Sequence, residues 1–297
     1  MKDVVAVVVT YNRKKLLLEN ISCLMNQSCS NLDILIIDNN STDGTNEDLT
    51  PYIQEKKIIY HNTGKNLGGA GGFQRGIKLG AEAGYKYIWV MDDDCMPTET
   101  ALQTFLDADE KLKGNYGFLS SKVLWKDGNI CQMNVQRHPL TKNISDFSAD
   151  LIPATLASFV SLFFKSEIAF EMGLPIKEFF IWTDDWEYTR RISRKYPCYV
   201  VTSSVVIHKS AQNIGAKIDN DTPDRLDRYK LLYRNDAYLY RREGLTGFFY
   251  EVTRLCGHTA KVLVKSKDNK IRRIKMIWGG TKEGLDFSPQ IEYPMKG

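Results

Sequence analysis

Three adjacent aspartates, Asp92-Asp93-Asp94, close the hydrophobic run Tyr87-Ile88-Trp89-Val90-Met91. Like charges this close repel, so the group is costly unless a cation offsets it. Carboxylate oxygens suit Mg²⁺ or Mn²⁺, which keep waters and share coordination with substrate phosphates; a solvated acidic turn capping a helix is the competing reading. His208, at the end of Val205-Val206-Ile207, offers an imidazole that would complete a Mn²⁺ shell or serve structurally. A second acidic pair, Asp184-Asp185, lies inside the aromatic stretch Phe179-Phe180-Ile181-Trp182-Thr183-Asp184-Asp185-Trp186-Glu187-Tyr188. Aromatic walls with paired carboxylates suit a sugar pocket, where rings stack on the sugar and one carboxylate takes a hydroxyl proton. Neighbouring carboxylates can also divide roles as their environments push their pKa values apart; acids in the first turn of a helix are the plainer alternative. The third stretch is Asn66-Leu67-Gly68-Gly69-Ala70-Gly71-Gly72, where small residues let backbone approach a ligand and a helix start attracts phosphate. It lacks the Gly-Lys-Ser/Thr of a P-loop and is no G-x-G-x-x-G after the first strand, so a nicotinamide reading fails.

These residues sit at the ends of elements that the hydrophobic pattern outlines. Val4 to Val9 reads as a strand buried on both faces, ending at Thr10-Tyr11-Asn12. Asn12 is placed to cap a helix carrying Leu16, Leu17, Ile21, Leu24 and Met25. Ile34 to Ile37, Ile58 to Tyr60 and Tyr87 to Met91 are further strands, with a helix from Gly68 to about Gly84. Strand–helix alternation predicts a parallel, doubly wound α/β sheet that binds ligands at the carboxyl ends of its strands. Further on, Ala154 to Phe164 reads as a strand, Asp184 to Lys195 as a helix, and Tyr199 to Ile207 as a strand. From Arg225 the pattern is helical, with later segments around 245 to 265 and 270 to 280.

Among 297 residues, 43% are hydrophobic, 26% charged and 11% aromatic, which excludes a disordered chain. The net charge of +4 is unevenly spread. Residues 225 to 297 hold 16 Lys and Arg against 8 Asp and Glu, so the rest of the chain is acidic overall. No apolar run reaches about 18 residues, and no signal-peptide cleavage pattern is present, so a cytoplasmic protein is expected. The six cysteines form no C-x-x-C pair, which disfavours zinc and points to reduced thiols. Lys261 to Lys275 holds seven Lys and Arg and one acid, interleaved with apolar residues. Such a basic amphipathic stretch, 261 to 278, would lie peripherally on an anionic membrane, on the inner face of the plasma membrane. A solvated face with a homo-oligomer contact is the alternative, and no nucleic acid partner is expected.

Val5-Ala6-Val7-Val8-Val9-Thr10-Tyr11-Asn12-Arg13, Ile36 to Thr45, Asn66 to Gly76, Trp89 to Asp94 and the Asp184-Asp185 segment occur in that order. Together they resemble the family 2 glycosyltransferases of the GT-A fold over about the first 210 residues. The resemblance implies an α/β GT-A domain over 1–215, a Rossmann-like nucleotide-binding mixed sheet flanked by helices. Residues 1–115 would be its nucleotide-sugar half, 116–215 its acceptor half, and 216–297 a basic helical extension. It implies that Thr10 and Asp38 line a nucleotide-base pocket, with Asn12, Arg13, Asn66, Gly68, Gly69, Asp92 and Asp93 also on the donor. Asp92, Asp94 and His208 would hold Mn²⁺ or Mg²⁺, and Asp185 would be the general base, with Trp182, Asp184 and Trp186 on the acceptor. Asp43 looks like a turn and helix-cap residue. More narrowly, Asn66 to Phe73, the triple aspartate and Asp184 to Tyr188 look like bacterial galactofuranosyltransferases. Rhamnosyltransferases share much of this, including a tail similar to Tyr233-Arg234-Asn235. The implied activity is inverting, metal-dependent transfer of one sugar in cell-surface polysaccharide synthesis. The donor would be UDP-galactofuranose, or dTDP-rhamnose as the alternative, and the acceptor a glycan or lipid-linked glycan. A nucleotidyltransferase would want a basic Gly-rich signature near the first strand, where only Arg13 stands. A non-catalytic glycan-binding module would have little use for Asp38, Asp92 to Asp94 and Asp185 together.

Overall fold

The computed structural model describes residues 2–296. β1 (Val4–Thr10) is buried at every position because helices cover both faces of its sheet, so its sequence shows no polar alternation. β2 (Leu32–Asp38) and β4 (Tyr87–Asp92) flank it in parallel, and β3 (Ile59–Asn62) adds to β2. β5 (Cys95–Pro97), β6 (Leu119–Trp125), β8 (Leu162–Lys165) and β9 (Tyr199–His208) complete the order β3-β2-β1-β4-β8-β6-β9-β5. β7 (Leu151–Pro153) pairs with β9. β8 runs antiparallel to both β4 and β6, so the sheet is mixed, as the GT-A resemblance implied.

Alternate residues of β1 feed two cores. Val4, Ala6 and Val8 pack with α1 (Lys14–Met25), α2 (Thr45–Gln54) and α4 (Ala101–Lys111) through Leu17, Leu49, Leu102 and Phe105. Val5, Val7 and Val9 pack with α3 (Gly68–Glu82), α5 (Ser166–Met172) and α6 (Asp184–Ser193) through Phe73, Ile77, Ile168 and Ile192. α3 lies so close that a Cβ on Gly76 would stand 2.2 Å from Val7. The small residues inside this helix therefore serve packing, and only the start of the glycine-rich stretch is left for ligand chemistry.

α7 (Arg228–Tyr240), α8 (Gly244–Lys265) and α9 (Lys270–Asp286) share a core of Tyr229, Tyr233, Leu255, Val262 and Ile277. After α9 the chain returns to the α/β body. The Phe287 ring meets Phe179 and Tyr238, the Glu292 carbonyl accepts from Leu174 N–H, and Met295 N–H donates to Glu82.

Two expectations are corrected. Ala154 to Phe164 is not one strand: only Leu162 onward joins the sheet, and residues 154–161 form an irregular wedge. Its apolar side chains are buried without alternation, and Ser161 turns in to meet the Trp89 indole and the Ser121 hydroxyl. Asn12 does not cap α1. It has a left-handed φ of 53°, and its side chain accepts from Thr42 N–H at 2.7 Å. Asp43 reaches across instead and accepts from Lys14 N–H in the first turn of α1 at 3.1 Å.

Candidate active site

The sheet register assembles the site. Thr10 pairs with Asp38, Val9 with Asp92 and Asp38 with Asn62, so the carboxyl ends of β1 to β4 lie side by side. The Thr10 hydroxyl donates to Asp93 at 2.7 Å, and the exposed Arg13 donates to Asp94 at 2.7 Å. β5 runs back along β9 with Cys95 opposite His208, which carries the imidazole to the aspartates across more than a hundred residues of chain. His208 Nε2 stands 3.0 Å from Asp94 Oδ1. Its Nδ1 faces Asn134 Oδ1 at 2.8 Å.

Burial, then repulsion by Asp94, pushes Asp92 up to about 6, and burial pushes Asp93 up to about 7. Burial also acts upward on Asp94, but His208 and Arg13 hold it below the ordinary carboxylate range. For His208, burial is outweighed by the hydrogen bond and charge of Asp94, which raise it to about 10. Ligand atoms of Asp92, Asp94 and His208 all lie within 4.8 Å of one another. Two carboxylate oxygens and one imidazole nitrogen, in a buried acidic patch whose near cations are Arg13 and His208, fit a divalent ion such as Mn²⁺ or Mg²⁺. With Nδ1–H donating to Asn134, Nε2 is the atom left to coordinate. Asn134 ends a single 3₁₀ turn, Gln132–Asn134, that carries no motif, and no sequence signal pointed to it.

The second half of the site rests on strained backbone. Phe180, Trp182 and Thr183 all take left-handed φ, at 64°, 65° and 68°, immediately before Asp184-Asp185. Non-glycine residues hold such angles only where their surroundings over-determine them. Here the Asn235 amide donates to the carbonyls of Phe179, Ile181 and Trp182 at 3.0, 3.1 and 2.9 Å. Arg234 donates to the Glu178 carbonyl and to Asn235 Oδ1, which orients that amide. The Thr183 hydroxyl donates to Asp236 at 2.6 Å, and Arg254 of α8 pairs with Asp236 at 2.8 Å. Replacing Asn235 with Ala removes the two N–H donors that three carbonyls share and leaves those carbonyls without them, together about 3 kcal/mol. A loss of about 3 kcal/mol in unfolding free energy is therefore expected by denaturant titration, and an unchanged midpoint would show that the loop holds itself.

This clamp places Asp184 and Asp185 in the first turn of α6, where Asp185 Oδ1 accepts from Trp186 N–H at 2.7 Å. Burial raises both carboxyls, Asp184 to about 7 and Asp185 well above its ordinary value. Asp184 pushes Asp185 further up, and Asp92 is near enough to add to both. The two acidic groups therefore lie within range of each other's charge. Trp186 carries the Arg137 guanidinium 4.1 Å over its ring, a cation that sequence reading missed.

The other expected residues divide. Gly69 has open space where a side chain would be, whereas Gly68 is pressed against the Phe180 carbonyl, 2.1 Å from where its Cβ would lie. Asn66 is held in its own turn, accepting from Gly68 N–H at 2.8 Å. Asp38 is fully buried, with Ser41 N–H at 2.8 Å and the Tyr60 hydroxyl at 2.7 Å on its two oxygens. A base would reach it only beside or in place of Tyr60. Neighbouring Asn39, unremarked in the sequence, has a buried Oδ1 without a partner among the described residues. The Trp182 ring packs on Tyr229 of α7, centroids 5.3 Å apart, and so braces the loop from the helical side.

Comparison with known proteins agrees with this geometry. Residues 5–121 match the model for glycosyl transferase family 2, a span covering β1 to β4 and the triple aspartate. The chain is 25% identical over 261 residues to the galactofuranosyltransferase GlfT1 of Mycolicibacterium smegmatis, covering 82% of this chain and 84% of that one. An abequosyltransferase, RfbV of Salmonella typhimurium, is 39% identical over 104 residues, 33% of this chain and 31% of that one. Among solved structures, residues 1–349 of Staphylococcus aureus TarS superpose with a TM-score of 0.54 at 14% identity, covering 97% of this chain and 73% of that one. That likeness shows the fold. Sheet order, acidic strand ends and family match coincide on the same residues, and over residues 5–121 the chain is similar to the family 2 glycosyltransferases.

Proposed function

We propose that the protein transfers galactofuranose from UDP-galactofuranose to a hydroxyl of a glycan or lipid-linked glycan in cell-surface polysaccharide synthesis, inverting the anomeric configuration. The observation that carries this reading is the clustering of Asp92, Asp94 and His208 within charge range of the clamped Asp184-Asp185 pair. The near full-length galactofuranosyltransferase relative supports the choice of donor. Asp92, Asp94 and His208 would hold a divalent cation, Mn²⁺ or Mg²⁺, which would supply charge neutralisation for the leaving diphosphate. Arg13, exposed and already on Asp94, is placed to turn to a phosphate oxygen, and Gly69 leaves room for donor backbone contacts. Thr10 orients Asp93, and Asp38 with Asn39 shapes the base pocket. Asp185 accepts the acceptor hydroxyl proton as that oxygen bonds to the anomeric carbon and the carbon–diphosphate bond breaks on the opposite face. One displacement inverts, and Asp185 is left protonated. Trp186 with Arg137 forms the acceptor wall, and Asp184 keeps Asp185 basic.

That last role predicts a pH effect. A base works only when deprotonated, so transfer should fall as pH drops through the raised pKa of Asp185. Asp184→Asn removes a neighbouring negative charge and lowers that pKa, so the acidic limb of kcat/KM moves to lower pH. A limb that stays in place, or moves up, removes Asp184 from this role.

The test of the donor is a panel of UDP-galactofuranose, UDP-galactose, UDP-glucose and dTDP-rhamnose with Mn²⁺, scored by binding and hydrolysis. Preferential turnover of UDP-galactofuranose is expected. The shorter match to an abequosyltransferase favours keeping dTDP-rhamnose as the second reading, and its preferential turnover would replace the first.

A further inference from the structure

The basic stretch anticipated over 261–278 does not form one outer face. Val262, Arg273 and Ile277 are buried in the helical core, while Lys261 and Lys265 line a cavity of about 310 Å³ between α7 and α8. His258, Lys261 and Lys265 recur at three- and four-residue spacing, so they share one side of α8. Tyr229 and Tyr233 of α7 also line the cavity, and residues 216–219 bring Lys217 and Asp219 to it. The three lysines are exposed, so a ligand can enter from solvent.

The wall is fastened from behind. Arg273, 2% exposed, donates to the carbonyls of Ile218 at 2.6 Å and Asp221 at 3.0 Å. The buried Ser266 hydroxyl, just past α8, donates to the Asp219 carbonyl at 2.9 Å. The Tyr229 hydroxyl donates to the Asp221 carboxylate at 2.8 Å. The segment carrying Lys217 and Asp219 is therefore tied to all three helices.

Lys217, Lys261 and Lys265 have no ion-pair partner among the described residues, and Asp219 is the one carboxylate on the wall. Burial, then the charges of Arg254 and Lys261, pull His258 down to about 4, so its ring is neutral near pH 7. Its Nδ1 pairs with the Tyr233 hydroxyl at 2.8 Å, which leaves Nε2 for a ligand. Three lysines against one carboxylate leave a surplus of two positive charges around one concavity. Cations gathered this way repel unless an anion offsets them. Lysine ammonium groups bind phosphate as point charges. A diphosphate diester carries two negative charges, and the volume lies at the lower end of the ~300–1,000 Å³ of small-molecule sites, roomier than one phosphate needs.

We infer that this cavity is a diphosphate-binding site, with Lys217, Lys261 and Lys265 on the phosphate oxygens and His258 Nε2 as a further donor. Two sources share that chemistry: the diphosphate of a lipid-linked sugar and a soluble nucleoside diphosphate. The Tyr229 ring that lines the cavity also packs on Trp182, centroids 5.3 Å apart, three residues before Asp185. An occupant therefore bears on the loop that presents Asp185. The site shares no residue with the Asp92, Asp94 and His208 cluster and does not rest on the transfer reading.

The first probe is inorganic pyrophosphate, titrated calorimetrically into the full chain with EDTA present, so that no cation bridges it to the aspartates. One site is expected. Lys261→Gln with Lys265→Gln should weaken it by about tenfold or more, and Asp219→Asn should tighten it about twofold or more. Arg13→Ala, at the triple aspartate, should leave it unchanged. An independent readout needs no variant: the His258 ring resonance of the wild type should move on adding pyrophosphate. Farnesyl diphosphate and CDP, each with EDTA, separate the sources, since the tighter of the two names the natural one. Absence of pyrophosphate binding, full binding by the double lysine variant, or a His258 resonance that stays in place overturns the inference. So does equal affinity for sulfate at matched ionic strength, which would make the lysines a general anion attractor. Donor hydrolysis is scored separately. A chain that binds pyrophosphate here but hydrolyses no nucleotide sugar overturns the donor reading and leaves the site standing.

Discussion

Asp185→Asn should lower the rate of sugar transfer by about 10²- to 10⁴-fold, the range a positioned general base contributes, while leaving the binding of UDP and Mn²⁺ within about twofold of wild type, too small a change to count as lost contact energy. The amide has nearly the shape of the carboxylate, and its oxygen still accepts from Trp186 N–H, so the first turn of α6 keeps its geometry. What the variant cannot do is take a proton. Asp185 is half-buried, and its basicity is raised by burial and by Asp184. Single-turnover transfer alongside UDP titration separates chemistry from binding. Near-normal transfer would remove Asp185 as the base, and a parallel loss of UDP binding would make it a structural residue.

Asp94→Ala should have an effect of similar size by a different route. Asp94 holds His208 at 3.0 Å, carries Arg13 at 2.7 Å, and is one of three groups whose ligand atoms lie close enough to share a cation. Removing it takes away a ligand and leaves the imidazole without the carboxylate that orients it. Mn²⁺ affinity should fall more than about 100-fold, beyond the 10- to 100-fold that supporting residues contribute, and Asn134→Ala should fall inside that smaller range. Calorimetric titration with Mn²⁺ measures both, and chelation of the wild type should reproduce the loss of transfer. Equal Mn²⁺ affinity in wild type and Asp94→Ala would place the metal elsewhere. The ordering Asp94 above Asn134 is what distinguishes a ligand from the residue that sets a ligand's tautomer.

Much of the site was legible because its parts are local. An apolar run such as Val4 to Val9 becomes a central strand wherever helices cover it, and the polar residues that stop such strands must gather at one edge of a parallel sheet. Thr10, Asp38 and Asp92 could therefore be placed together from their positions alone. The wedge at 154–161 misled because burial without alternation reads the same in a strand and in a packed turn. Asn12 misled because its side chain found Thr42, thirty residues away, before it found its own helix.

Sequence alone determined the residue types, the strand–helix alternation and the acidic strand ends, because these follow from nearest neighbours and from the periods of helix and strand. Tertiary structure decided the partnerships. Whether His208 met Asp94 depended on β5 turning back along β9. Whether the backbone before Asp184 could stay left-handed depended on the single amide of Asn235, brought from α7 more than fifty residues later. Each is a contact between distant segments, where one hydrogen bond or one buried face outweighs local preference, and no spacing along the chain encodes it.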